Sequence, residues 1–202
     1  MPAWKKILND EIPLRKPRTI RNKLNRVVSA RLFTDMGWIV ADIQVPIHTR
    51  FIDFLSHTNP FLSLTSAFIE HRKSALDFFA IKKQGISFMA VMDTESPESA
   101  SSVGVQIAHN ISCLIAEGAI TGNASIHQGV RVSDYFARHR GFVHMQDCHF
   151  RIHDRQTGNV RAEKDADIIL NSDRIVGLCE LPLDGCEAQK TDACLHDETS
   201  MI

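Results

Sequence analysis

Long hydrophobic runs are missing from this sequence of 202 residues. No stretch reaches the length of about 18 apolar residues that a membrane-spanning helix needs, and no short apolar segment follows an N-terminal basic cluster. We therefore expect no transmembrane segment, no secretory signal and a cytoplasmic location. A large excess of one charge is also missing, because 23 Lys and Arg residues balance 24 Asp and Glu residues. Net charge alone therefore favours neither nucleic acid nor a membrane as a partner.

Known catalytic motifs are absent as well. The sequence contains no G-x-S-x-G elbow, no P-loop, no G-x-G-x-x-G after a strand pattern and no H-E-x-x-H helix. Its five cysteines form no C-x-x-C pair and are odd in number, which argues against a zinc ribbon, a redox dithiol and a disulfide framework. These absences favour a protein without enzymatic activity and without a cofactor.

Three histidines occur within ten residues of one another in a strand pattern, at His144, His149 and His153. Alternation predicts one polar face and one mostly buried face. The polar face holds Asp147, His149, Arg151 and His153, and the other holds His144, Gln146, Cys148, Phe150 and Ile152. A cation would be repelled by Arg151, so a solvated strand is favoured over a metal site. Metal binding by the later residues Cys186, Cys194 and His196 is left open.

The charges are unevenly distributed along the chain. Residues 1–31 carry nine basic and two acidic side chains, an excess of +7, and we expect residues 1–25 to form a basic arm. The partner contacts predicted in this arm are Trp4, Lys5, Lys6, Arg15, Lys16, Arg18, Arg21 and Lys23. From Glu180 onward six acidic residues face only Lys190, so residues 181–202 are predicted to form an acidic, mobile tail.

An internal repeat is the most informative feature of the sequence. A shift of 81 positions aligns residues 27–68 with residues 108–149 without a gap. The identical pairs are Gly37 and Gly118, Ile39 and Ile120, Arg50 and Arg131, Asp53 and Asp134, and Phe61 and Phe142. Chance alternation would match apolar positions, but it would not keep a glycine turn and an Arg-x-x-Asp pair in register. We therefore infer an internal duplication.

Each copy reads as strand, glycine turn, strand, short helical segment and further strands. The predicted strands are 26–33, 38–47, 61–70, 76–81 and 86–92 in the first copy, and 142–153, 160–162, 167–170 and 175–179 after the second copy's opening hairpin. Residues 26–93 and 103–180 are thus two small β modules, and residues 94–102 are a polar linker. The predicted fold class is mainly β with short helices, as two tandem bent sheets or partly open barrels.

The Arg-x-x-Asp pair is the one polar feature present in both copies. A spacing of three allows Arg50 to meet Asp53, and Arg131 to meet Asp134, on a single helical turn. Neither pair has a nucleophile or a general base beside it, so a structural clamp is favoured over a ligand site. In the second copy, Ser133 together with Asp134 is also a candidate cap for the turn.

The second copy, from Ile120 to Asp147, resembles a small, functionally uncharacterised bacterial β module. The residues that carry the resemblance are Gly122, Gly129, Arg131, Ser133 and Asp134. The first copy departs from this pattern at Ala41, His48 and Ile52. The resemblance implies a bacterial source and a β fold, and it implies no particular activity.

Duplicated β modules with oppositely charged ends favour an interaction protein, namely an adaptor, scaffold or regulatory subunit that binds another protein or itself. Trp4 and Trp38 are the expected anchors, because Trp is enriched at the centres of interfaces. The first copy, which is more apolar near its helical segment, is the better candidate for packing against a partner or the other copy. Two alternatives use the basic arm: nucleic-acid binding through phosphate contacts, and docking on an anionic membrane surface.

Overall fold

The computed structural model describes residues 24–70, 72, 74–92, 105–139, 141–153, 158 and 160–182. The predicted linker, nearly all of the predicted basic arm and the predicted tail from residue 183 onward lie outside these residues. We call residues 24–92 the first half and residues 105–182 the second half.

Each half contains five strands, one short α-helix and one 3-10 turn. The first half consists of β1 (Asn25–Thr34), β2 (Gly37–Pro46), α1 (Phe51–Ser56), β3 (Phe61–Ile69), β4 (Leu76–Lys82), the turn Lys83–Gly85 and β5 (Ile86–Val91). The second half consists of β6 (Gln106–Ile115), β7 (Gly118–His127), α2 (Val132–Arg138), β8 (Phe142–His153), β9 (Val160–Asn171), the turn Ser172–Arg174 and β10 (Ile175–Glu180).

All ten strands belong to one antiparallel sheet in the order β10-β6-β7-β8-β9-β5-β1-β2-β3-β4. The prediction of a mainly β fold with short helices is confirmed, and the sheet is open rather than closed into a barrel. Its two edges are formed by β4 and β10. In the part of the chain that the structure describes, no helix has the length and apolar character needed to cross a membrane.

The two halves have the same strand order and register. In each half the first strand lies between the fifth and the second, and the third and fourth strands follow. The first hairpin pairs Asn25 with Pro46 in one half and Gln106 with His127 in the other, which is a displacement of 81 residues on every strand. From the end of the fourth strand onward the displacement is 89 residues. Duplication as the origin of this match stays a prediction.

The halves meet where β5 pairs with β9, a contact that we call the seam. Its residue pairs are Phe88 with Leu170, Met89 with Ile169, and Ala90 with Ile168. Both apolar cores cross the seam, because Phe142 and Ile169 join the core of the first half and Phe33, Trp38 and Phe88 join that of the second. Helix α1 also contacts β8 of the other half. The two units therefore share their cores instead of folding around separate ones.

Two details of the second half differ from the predictions. The polar run after Ala162 breaks the strand pattern in the sequence, yet Val160–Asn171 is one continuous strand because it pairs with β8 along most of its length. In β8 the predicted faces hold from Asp147 to His153 but are wrong before Asp147, because Asp147 has a positive φ of 50° and the pairing register shifts around it. Met145 and Cys148 are both buried as a result, and Gln146 is exposed.

Candidate interaction surface

The two Arg-x-x-Asp pairs behave differently in the structure. Arg50 donates from Nε and Nη2 to the Asp53 carboxylate at 2.6 and 2.9 Å. Both side chains are substantially exposed, so solvent screening leaves this ion pair a small contribution to stability. The described residues show no hydrogen bond or ion pair between Arg131 and Asp134. Arg131 is itself the N-cap residue of α2 and the helix has no side-chain cap, so the capping prediction is wrong.

Trp38 is buried, with 4% of its surface exposed, so it does not serve as an anchor for an external partner. Its ring packs among Phe33, Phe88 and Phe150 with centroid distances of 5.0 to 6.3 Å. The Arg31 guanidinium lies 3.7 Å from the Trp38 ring centroid and also pairs with Glu163 at 2.6 Å. Sequence alternation missed this role because the aromatic cluster draws on strands from both halves.

The other predicted anchor, Trp4, and the basic residues of the arm up to Lys23 lie outside the described residues. The nucleic-acid and membrane alternatives both depend on that arm. They therefore stay predictions, as does metal binding by the late cysteines and histidine.

Two thiols and one imidazole of the second half are buried or half-buried, those of Cys113, Cys148 and His144. Burial raises the pKa of Cys113 and of Cys148 to about 12, so both thiols stay protonated and unreactive near neutral pH. Burial also lowers the pKa of His144, against a smaller opposing effect of Asp167. Within the described ranges no group of three or more His, Cys, Asp or Glu side chains could hold a metal ion. Cys179 on β10 is the exposed thiol of this region.

Polar contacts fasten the seam at the end of β9. The buried Asn171 side chain donates from Nδ2 to the carbonyl oxygens of Lys83 and Ile86, at 3.1 and 2.9 Å. Arg174, in the turn that follows, pairs with Asp35 and lies 3.6 Å from Glu117. The Asn171 hydrogen bonds and the Arg174–Asp35 pair join the two halves, so the seam has specific polar contacts in addition to its strand pairing.

The two sheet edges of the described chain, β4 and β10, have strand neighbours on one side only. On the outer side of β4 and of β10 no neighbouring strand is present among the described residues. Large apolar side chains are exposed on or beside these strands: Phe78 on β4 at 64%, Val176 on β10 at 77% and Leu114 beside it at 53%. Unprotected edges of this kind are templates for strand addition.

A cleft of about 690 Å³ lies next to the β10 edge. Its wall includes Leu114, Ala119 and Val176, with Arg151 and His153 at its polar side. At the matching place in the first half, Phe33 and Trp38 are covered by Phe88 and by Phe150 of the other half. The second half therefore has an open cleft at the place where the first half has packed aromatic side chains.

Sequence reasoning missed both edges. The available signal was a change in the sequence offset between equivalent residues, which is 81 through the third strand and 89 from the end of the fourth. The larger offset makes β5 equivalent to β10 and the end of β4 equivalent to the end of β9. Comparison of the chain with protein-family models, with curated proteins and with solved structures finds no match.

Proposed function

We propose that this protein is a non-enzymatic interaction protein, an adaptor or scaffold of the cytoplasm, that binds protein partners by strand addition at the β4 and β10 edges. The observation that carries the proposal is the pair of open edges with exposed apolar side chains at Phe78 and Val176. We further propose that the two halves arose by duplication of a bacterial β module.

Strand addition is supported by the composition of the edges. Natural proteins usually protect edge strands with charges, prolines or short length. The six residues of β10 include one charged side chain, Glu180 at its end. Strand β4 has charges at Asp77 and Lys82, and between them it places the four apolar residues 78–81 in succession. A partner strand would gain main-chain hydrogen bonds from the ladder and side-chain contacts from these apolar residues.

The test is the size of the complex that the chain forms in cells of its source, measured by gel filtration of the lysate. We expect the chain to elute above its own mass of 22.7 kDa. The double variant Phe78→Lys/Val176→Lys should shift it to the monomer position. The matched control Val27→Lys/Met36→Lys changes two apolar residues that are also exposed, at 43% each, but lie away from the edges, and it should leave the complex intact.

Elution as a monomer before any substitution would overturn the proposal. So would a complex that survives the edge substitutions as well as it survives the control substitutions.

A further inference from the structure

We propose that β10 of one molecule pairs with β4 of a second copy of this chain, antiparallel and in the register of the seam. This inference rests on the proposed function and names the partner of its two edges. The seam joins the fifth strand of one half to the fourth strand of the other. The two edge strands are also a fourth strand, β4 of the first half, and a fifth strand, β10 of the second half. They can therefore form the same kind of pair when two copies meet.

The seam defines the register of the new contact. A displacement of 89 residues carries Phe88, Met89 and Ala90 of β5 onto Gly177, Leu178 and Cys179 of β10. The same displacement carries the β9 residues Leu170, Ile169 and Ile168 onto Ile81, Ala80 and Phe79 of β4. The predicted pairs between copies are therefore Gly177 with Ile81, Leu178 with Ala80, and Cys179 with Phe79.

Burial at equivalent positions shows what the second copy would cover. Ser87 and Met89 are fully buried in the seam, whereas their counterparts Val176 and Leu178 are exposed and half-buried. On the opposing strand, Ile169 is buried and its counterpart Ala80 is exposed. A strand laid along each edge would remove these apolar side chains from water, which favours association.

The Asn171 hydrogen bonds at the end of the seam can also be matched between the β4 and β10 edges of two copies. Asn171 donates to the carbonyls of Lys83 and Ile86, and the residue equivalent to Asn171 is the exposed Lys82. The equivalent carbonyls belong to Ser172 and Ile175. Lys82 of one copy carries an ammonium donor that can serve these two acceptors of the next copy.

The ion pairs across the halves have no such counterparts. The Arg31–Glu163 pair cannot recur, because the residue equivalent to Arg31 is the uncharged Ser112 and Glu163 precedes the part of β9 that corresponds to β4. The Glu70–Arg161 pair also cannot recur, because Arg151 stands at the position equivalent to Glu70 and Arg161 precedes the part of β9 that corresponds to β4. The contact between copies is therefore weaker than the seam and reversible.

The contact is heterologous, because it joins two different edges of the molecule. Each added copy leaves one β4 and one β10 unpaired, so copies form a closed ring if the rotation between them closes and a linear chain if it does not.

Disulfide trapping tests the register. Directly opposite residues in an antiparallel pair have Cα atoms about 4.5 or 5.5 Å apart, within reach of a disulfide. The full chain carrying Cys186→Ser, Cys194→Ser and Phe79→Cys should link through Cys179 into dimers and larger species on mild oxidation. Cys113 and Cys148 do not compete for the disulfide, because both are fully buried. The neighbouring variants Phe78→Cys and Ala80→Cys should link about tenfold less, because their side chains point to the opposite face of the strand.

Three results would overturn the proposal. Fast-migrating monomers would show that Cys179 reaches position 79 within one chain, which means that the sheet closes on itself. Equal linking of all three cysteine variants would show contact without register. Sedimentation of the chain without added cysteines as a monomer at every concentration would show that it does not self-associate. This measurement does not depend on whether Phe79→Cys folds. Loss of the cellular complex in the Phe78→Lys/Val176→Lys variant would still support the proposed function after any of these results.

Discussion

Ser66 and Asp147 have the same left-handed backbone conformation, with φ values of 51° and 50°, at equivalent positions of the two halves. Among the described residues they are the non-glycine residues with positive φ. At each of them the third strand bulges against the second, and the pairing shifts between Val40 and Asp42 in one half. The left-handed region is costly for a residue with a Cβ atom, so this shared conformation is a structural device of the fold.

Replacing Ser66 by glycine should therefore stabilise the protein. Glycine adopts positive φ without the steric cost of a Cβ atom, and we expect a gain of up to about 1 kcal/mol in the free energy of unfolding. The control Ser63→Gly changes another exposed serine of the same strand that lies outside the bulge, and it should lose about 0.5–1 kcal/mol. Urea unfolding of both variants measures the difference, and equal effects would contradict the role of the bulge.

Gly122 and Cys148 should be energetically coupled. A Cβ atom on Gly122 would lie 2.5 Å from Cys148 Sγ and 2.9 Å from the Gln146 carbonyl oxygen, so Gly122→Ala should cost about 1–3 kcal/mol through overpacking, of which Cys148→Ala relieves the thiol contact. The first half fills the same place with Ala41 and Ala67, both buried. The double variant Gly122→Ala/Cys148→Ala recreates that alanine pair, and we expect a favourable coupling of about 0.5–3 kcal/mol in a double-mutant cycle. If the double variant loses as much stability as the two single variants together, the two side chains do not compete for the same space.

Asn171→Ala should weaken the seam. It leaves the Lys83 and Ile86 carbonyls without the amide donor, and an unsatisfied buried acceptor costs about 1–3 kcal/mol. The control Asn110→Ala removes a single exposed contact of 3.5 Å to the Pro182 carbonyl and should change stability by less than about 0.5 kcal/mol. Chemical unfolding monitored by fluorescence in a Trp4→Phe background, which leaves Trp38 as the single tryptophan, reports on the core at the seam. Similar losses in both variants would argue against a fastening role for Asn171.

His144 should make stability depend on pH. Burial holds its pKa below the ordinary value, so the unfolded chain binds the proton more readily than the folded chain. The contribution of this group to the free energy of unfolding is therefore fully present above a pH of about 6.5. It decreases as the solution is acidified below that pH. His144→Gln should flatten this decline between neutral and mildly acid pH. The comparison variant His153→Gln, at an exposed position of the same strand, should retain it.

Much of the fold follows from local sequence signals. The period of two and the glycines of the first hairpins predict β1, β2 and β3 to within one or two residues, because those signals act over a few neighbours. The bulge at Asp147 has no such signal, since an aspartate in a strand pattern does not reveal a positive φ. The prediction for β8 therefore fails at Met145 and Gln146, before the bulge, and holds after it. The charged segment after Ala162 becomes strand only because β8 supplies its partner.

The interaction surface was less accessible to sequence reasoning. The spacing of Arg50 and Asp53 predicts their ion pair, because three residues span one helical turn. By contrast, the burial of Trp38 depends on Phe150, more than a hundred residues away, and no local pattern encodes such a contact. The identity of the edge strands likewise depends on which two strands form the seam.

The seam also orders events during synthesis. Strand β5 has one neighbour within its own half, β1, and the other side of β5 stays open until β9 exists. The 68 residues between Val91 and Val160 must be made first, which takes several seconds at about 5–20 residues per second. The backbone groups on that side of β5 lack a partner during the delay, so a nascent first half presents an open strand edge that the finished protein covers. Ribosomes translating this message in close succession thus bring such strands together before either chain is complete.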